Sequence, residues 1–285
     1  MSHATAKSLS AFVALAMAFT ACNTDNAEQQ QAQSLLDQAQ ALTQDQLYDS
    51  AVVILDSLCH AYPRQFDLVK QAMTAKARNL ELDFTLQLQQ TDSLIAQCKD
   101  VVEQMSPLFK YVKTEDMVEG YRVLRSLDRY PLVNRTGVEP RVDDAGNFYL
   151  VSLLNGTAAK HDHLTVCLRN NRSVIATTDT IPFDGARNYR FSDINGVSSE
   201  MISFHSDECF DLCRFIADNP DGQILLTFAG SRSHSITLDQ TTQKAIATTL
   251  EFSQAITTGL HAEAKRIHLL KKIEVAQRQQ QSQPQ

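Results

Sequence analysis

Residues 64–106, RQFDLVKQAMTAKARNLELDFTLQLQQTDSLIAQCKDVVEQMS, run for 43 positions without a proline or a glycine. Val69, Met73, Leu80, Phe84, Leu88, Leu94, Cys98, Val101 and Met105 recur there at mostly helical steps. Leu80, Leu82, Phe84, Leu86 and Leu88 alternate, which taken alone is the pattern of a strand. Turn residues are missing on both sides, so the expectation is one long helix, with room for a kink, stopped by Pro107.

Toward the N-terminus the texture stays helical. Leu35, Ala39 and Leu42 share one face, and Tyr48, Ala51, Val52, Leu55 and Leu58 share the next, before Pro63. The spacing Leu35-x3-Ala39-x2-Leu42-x5-Tyr48-x2-Ala51-x3-Leu55-x2-Leu58-x4-Pro63 resembles one tetratricopeptide repeat. In that pattern large and small residues alternate so that two antiparallel helices close together. A plain helical hairpin would look the same, and a single unit needs a neighbour to cover its face.

Toward the C-terminus the texture changes at Gly120, the first of nine glycines. The 119 residues before it hold no glycine-rich phosphate loop and no dinucleotide fingerprint. Eight glycines fall between 120 and 230, among turn pairs such as Asn155-Gly156, Asp184-Gly185, Asn195-Gly196 and Asp221-Gly222. Residues 142–151 read as two strands about a glycine turn. Short strands are expected at 164–168, 173–176, 188–191, 200–204, 224–228 and 234–238. A helix over 207–218 turns Cys209, Leu212, Cys213 and Ile216 inward. A last helix is capped by Asp239 and carries Ile246, Leu250, Ile256, Leu260, Ala264, Ile267 and Leu270 as its stripe.

The expected class is α+β. Long antiparallel N-terminal helices form a stalk, a small, mainly antiparallel β-rich domain with one short helix follows, and a long C-terminal helix returns to the stalk. The expected divisions are a signal peptide at 1–21, helices at 22–112, the β-rich domain at 113–238, the C-terminal helix at 239–276 and a glutamine-rich tail at 277–285.

Residues 1–22 set the address. Lys7 precedes an apolar run, residues 9–21, that is too short to span a bilayer as a permanent helix. The ending Phe19-Thr20-Ala21-Cys22 resembles a bacterial lipobox, with Phe19 in place of the usual aliphatic residue. That implies cleavage before Cys22 and acylation of Cys22, which would hold the protein on a membrane. Residues 23–28 are expected to be a polar tether. Five cysteines remain (Cys59, Cys98, Cys167, Cys209 and Cys213), an odd number that cannot form a complete intramolecular disulfide framework. A Cys59–Cys98 bridge and buried free thiols are both compatible with the spacing.

The lipobox, Asp56-Ser57-Leu58 leading to Tyr62-Pro63, Thr91-Asp92-Ser93-Leu94, and Val142-Asp143-x2-Gly146-x-Phe148-Tyr149-Leu150 occur in that order before a closing helix. Together they resemble uncharacterised Bacteroidetes envelope lipoproteins that pair a helical hairpin with a small β-rich domain. The resemblance covers most of the mature chain. It implies an outer-membrane location, on either face, and no mechanism.

Chemistry-bearing groups are few. His161-Asp162-His163 places two histidines at i, i+2, which on a regular strand share one side as metal ligands do. His161 and His163 are therefore the metal candidates, although the segment also reads as an exposed loop. His205, Cys209 and Cys213 gather ligand types on a helix whose inward face is apolar. Gly230-Ser231-Arg232-Ser233-His234-Ser235 sets hydroxyls beside a histidine without a nucleophile elbow. Asp179-Thr180-Ile181 resembles a short O-glycosylation signal. The net charge of -7 argues against nucleic acid.

The expectation is a membrane-anchored, non-catalytic envelope lipoprotein without a cofactor. It would contact the membrane through acyl chains on Cys22 and bind another envelope protein or a surface ligand. The alternatives are a hydrolase using His161, His163 or His234, and a helical docking module for a partner protein.

Overall fold

The computed structural model describes residues 24–115, 119–129, 132, 135–192 and 196–282. Cys22 lies outside them. The chain divides into two compact units, one of residues up to 86 with 271 onward, the other of residues 87–270. Both boundaries fall inside long helices.

In the first unit α1 (Thr24–Gln44) and α2 (Tyr48–Ala61) form a hairpin, and α3 (Phe66–Met105) begins beside it. Ala32, Leu36 and Ala39 of α1 meet Ala51, Leu55 and Leu58 of α2, with Leu68 and Ala72 of α3 closing the cluster. Alanines opposite leucines let the helix axes approach, as the repeat-like spacing implies. The expected stripe is rotated slightly, because Leu35 and Leu42 sit only at its edge. The first turns of α3 are the neighbour that the hairpin needs.

The last helix, α5 (Gln240–Gln281), packs on α3. In this unit Gln277 and Gln280 each donate an amide N–H to Glu81, both at 2.7 Å. These two bonds hold the Glu81 carboxyl below its ordinary range. They also explain why the expected tail stays helical through Gln281. α1 likewise starts at Thr24, so residues 24–28 are helix rather than tether.

The second unit holds two antiparallel sheets. One has the order β1 (Phe109–Val112), β2 (Tyr121–Leu124), β3 (Gly137–Asp143), β4 (Phe148–Asn155), β8 (Ser198–His205), β7 (Asn188–Ser192). The other runs β10 (His234–Thr237), β9 (Ile224–Gly230), β5 (His161–Leu168), β6 (Asn171–Thr177). β1 and β2 were not expected from sequence, and β1 falls in the stretch assigned to helix. Pro107 ends α3 as expected, but the four residues of β1 are too short a run to signal a strand by alternation.

Strand parity builds the core. Phe148, Leu150 and Leu154 of β4 and Ile202 and Phe204 of β8 face Leu164, Val166, Leu226 and Phe228 of the other sheet. α4 (Ser206–Asp218) adds Cys209, Leu212, Cys213 and Ile216, and α5 adds Ala245, Ile246, Leu250 and Phe252. The β3–β4 turn needs Gly146, whose φ is +83° and where a Cβ would lie 2.5 Å from Ile256 of α5. Ser253 of α5 donates to the Gly146 carbonyl at 2.6 Å. Two ion pairs, Lys99–Glu263 at 3.0 Å and Arg266–Asp92 at 2.7 Å, join α3 and α5 within this unit.

A sealed serine–histidine–glutamate cluster

The one constellation with the atoms of an acid–base relay lies between the sheets, among the described residues. Ser152 on β4 and Glu200 on β8 share the core-facing parity of Leu154 and Ile202. His161, at the start of β5, reaches between them from the opposite sheet. His161 Nδ1 is 2.8 Å from Glu200 Oε2, and His161 Nε2 is 3.0 Å from Ser152 Oγ. Side-chain exposure is 0% for His161 and 1% for Glu200, and Ser152 is 0% exposed.

The backbone around His161 is shaped to make this contact. Lys160 takes a left-handed φ of 51°. Its N–H and that of His161 then both point at the Glu200 carboxylate, at 2.7 and 2.8 Å. Gly230 of β9 approaches so closely that a Cβ there would lie 2.1 Å from the Lys160 carbonyl oxygen and 2.6 Å from His161 Cα. β5 also bulges. His161 pairs with Gly230 and His163 with Ala229, which leaves Asp162 as the extra residue.

That bulge overturns the i, i+2 reading. An inserted residue shifts the alternation by one, so His161 joins Leu164 and Phe228 on the core face while His163 turns to the other. The His161 and Phe228 rings meet edge to face at 5.4 Å. His163 instead bonds its neighbour Asp162 at 2.6 Å, half-exposed. His161 is therefore not a loop histidine, and the two candidate ligands do not converge. No group of three metal-binding side chains exists among the described residues.

Burial is the leading influence on both ionisable members. It pushes the His161 pKa down, and the Glu200 carboxylate only partly offsets it. Burial alone would push Glu200 up. Hydrogen bonds from the His161 side chain, the His161 N–H and the Lys160 N–H outweigh it and hold Glu200 below its ordinary value. A carboxylate only accepts, so Nδ1 carries the proton of a neutral imidazole, and Ser152 donates its hydroxyl to Nε2. Asn188 of β7, 0% exposed, completes the polar layer by donating to the Ile181 carbonyl at 2.7 Å.

Donor order alone does not make a catalyst. Ser152 sits mid-strand, paired with Val138 on one side and Ile202 on the other, so its backbone amide lies within a sheet ladder. Two clefts of this unit open elsewhere. One of about 560 Å³ is lined by Leu108, Leu124, Arg125 and Lys244, and one of about 580 Å³ by Asp143, Tyr149, Arg187 and His205. Sealed as it is, the cluster pins one sheet to the other.

The remaining candidates take structural roles. His234 lies on β10 with its ring 6.4 Å from Phe228. Ser231 donates to the Ala159 carbonyl at 2.9 Å, and residues 231–233 connect β9 to β10. His205 caps α4, with its backbone N–H donating to Glu208 at 2.7 Å. Cys209 and Cys213 are fully buried, and burial followed by the adjacent Cys209 thiol pushes Cys213 well above the ordinary thiol range. A thiol held protonated is a poor zinc ligand. All five described cysteines are free, so Cys59 and Cys98 are not bridged. Thr180 of the O-glycosylation-like triplet is exposed.

Ser152 and Glu200 escaped the sequence reading. Ser152 interrupts an apolar run, Leu150-Val151-Ser152-Leu153-Leu154, and Glu200 shares parity with Ile202 and Phe204. A polar residue at a core-parity position was the available signal. No protein-family model matches the chain, and no curated protein or solved structure matches it significantly.

Proposed function

We propose that this chain is a membrane-anchored envelope lipoprotein whose folded part acts without catalysis, by binding another envelope protein or a surface ligand. The observation that carries the reading is the join between anchor and fold. α1 is already helical at Thr24, the first described residue and two positions after the lipobox cysteine, so no long linker separates the acylation signal from the first packed helix. No described helix is long and apolar enough to cross a membrane, which leaves acyl chains on Cys22 as the attachment that the sequence offers. Replacing Cys22 with alanine should move the protein from the membrane fraction to the soluble fraction. Retention of the Cys22→Ala variant on membranes through a high-salt wash would refute the anchor.

One observation favours a second reading, a serine hydrolase: the relay order Ser152–His161–Glu200. That reading requires the sheets to part. A fluorophosphonate probe should leave the wild-type protein unlabelled under native conditions. Labelling that disappears in Ser152→Ala would establish an opening catalytic site. The docking-module alternative would use a face of the hairpin other than the inner one, where Leu68 and Ala72 of α3 pack.

A further inference from the structure

We propose that residues 61–66, the corner between α2 and α3, form a second membrane contact that works with the acyl chains of Cys22. The inference rests on the anchored reading above and adds which surface of the first unit meets the lipid.

The corner lies at the anchored end of the hairpin. α1 and α2 are antiparallel, and Tyr62 Oη donates to Gln31 Oε1 of α1 at 2.9 Å, so the end of α2 is level with Gln31. The opposite end of the hairpin is the turn that carries Leu47. Composition at the corner suits a bilayer interface. Ala61, Pro63, Arg64 and Phe66 are exposed and Tyr62 is partly exposed, with Arg64 the only charged residue. Phe66 is 78% exposed, the largest fraction among the exposed large apolar side chains described, although it opens a well-packed helix. An aromatic pair with one arginine is the mixture that partitions to the headgroup level, where rings find hydrocarbon and the guanidinium finds phosphate.

Distance sets the posture. Gln31 lies seven residues beyond Thr24, or about 10 Å along α1 at 1.5 Å per residue. Polar headgroups occupy roughly 5–7 Å on each side of the hydrocarbon. A hairpin standing upright on its anchor would therefore hold Phe66 clear of the bilayer. The contact requires α1 to lean toward the membrane plane, with its polar first turns (Asp25, Glu28, Gln29) in the headgroup layer. The acyl chains supply the affinity, and a second contact of this kind fixes the orientation of the first unit on the surface.

The chain contains no tryptophan, so a single introduced one reports its own surroundings. The test uses the full-length protein purified from membranes and reconstituted in phosphatidylethanolamine–phosphatidylglycerol vesicles. Two variants are compared, Phe66→Trp and, at the far end of the hairpin, Leu47→Trp. Both positions are exposed, so neither change disturbs packing, and unchanged thermal unfolding verifies that. The expected result is a blue-shifted Phe66→Trp emission quenched by brominated lipid, with Leu47→Trp unshifted and unquenched. Solvent-like Phe66→Trp emission on vesicles, or equal shifts at both positions, overturns the lipid-facing corner. Mass analysis of the N-terminal peptide reads acylation separately. An acylated Phe66→Trp protein with unshifted emission sinks the contact alone, whereas an unacylated Cys22 sinks the anchored reading and this inference with it.

Discussion

The helical unit and the β unit close their interiors by opposite means. The cluster around Ala32, Leu36, Ala51, Leu55 and Leu58 is apolar throughout, and helices close in sequence build it. The inter-sheet core surrounds a sealed histidine, a carboxylate, a serine and an asparagine drawn from β5, β8, β4 and β7. In the first, each contact adds a similar increment and truncation leaves a cavity. In the second, Ser152, His161 and Glu200 satisfy one another, so losing one strands the others without water. Difference of kind predicts difference of response.

The largest effect is therefore expected at Glu200. Glu200→Ala removes the acceptor for the His161 ring and for two backbone N–H groups. It should destabilise the β unit by about 4 kcal/mol, in the range for breaking a buried charged network. Leu55→Ala in the helical core should cost about 3 kcal/mol through its cavity. Urea unfolding followed by residue-resolved hydrogen exchange separates the two units. If Glu200→Ala proved as mild as a surface change, the cluster would not be pinning the sheets. Gly230→Ala should act on the same cluster without touching its side chains. The Lys160 carbonyl stands where the new methyl must go, and about 2 kcal/mol is expected for overpacking of this kind.

The contrast also governs what could be read beforehand. The hairpin was legible because its contacts repeat at helical spacing within some forty residues. The 80–88 alternation misleads on its own, yet the missing turn residues around it correctly favoured α3. β-strand positions were largely visible from turn pairs and alternation. The cluster was not, because Ser152, His161 and Glu200 come from three strands and their meeting depends on sheet order. The bulge at Asp162 was invisible for another reason: it is defined by β9 opposite, not by the residues of β5. Local pattern states which face a strand presents only while its register is unbroken.

Acidification should separate the units more gently than the truncations. His161 has a folded pKa below its ordinary 6.5, so the unfolded chain takes up that proton first as pH falls. Glu200 is likewise held below its ordinary 4.5 when folded. Both contributions are present at neutral pH and decline in the same direction. Stability of the β unit should begin to fall below about pH 6.5 and fall further as pH drops through and below 4.5. The Leu55-centred core contains no such group and should lack the first step. His161→Gln should flatten the upper part of the β-unit profile. An identical pH profile in the variant would show that His161 is not the titrating group.

The smallest expected effect has the opposite sign and tests whether the strain at the cluster belongs to it. Among the described residues each unit holds one non-glycine residue at positive φ, Gln46 at 60° in the α1–α2 turn and Lys160 at 51° beside His161. Glycine relieves left-handed strain but adds freedom to the unfolded chain, so the net gain at an independent turn is only several tenths of a kcal/mol. Gln46→Gly should show that gain. At Lys160 the strain is coupled to the cluster, because φ there aims two N–H groups at one carboxylate. If the Glu200 chelate holds that conformation, Lys160→Gly should gain in the wild-type background. In Glu200→Ala, where no carboxylate remains to enforce it, most of the gain should vanish. The difference between those two backgrounds is the coupling energy, and a value near zero would make Lys160 an ordinary turn residue rather than part of the polar core.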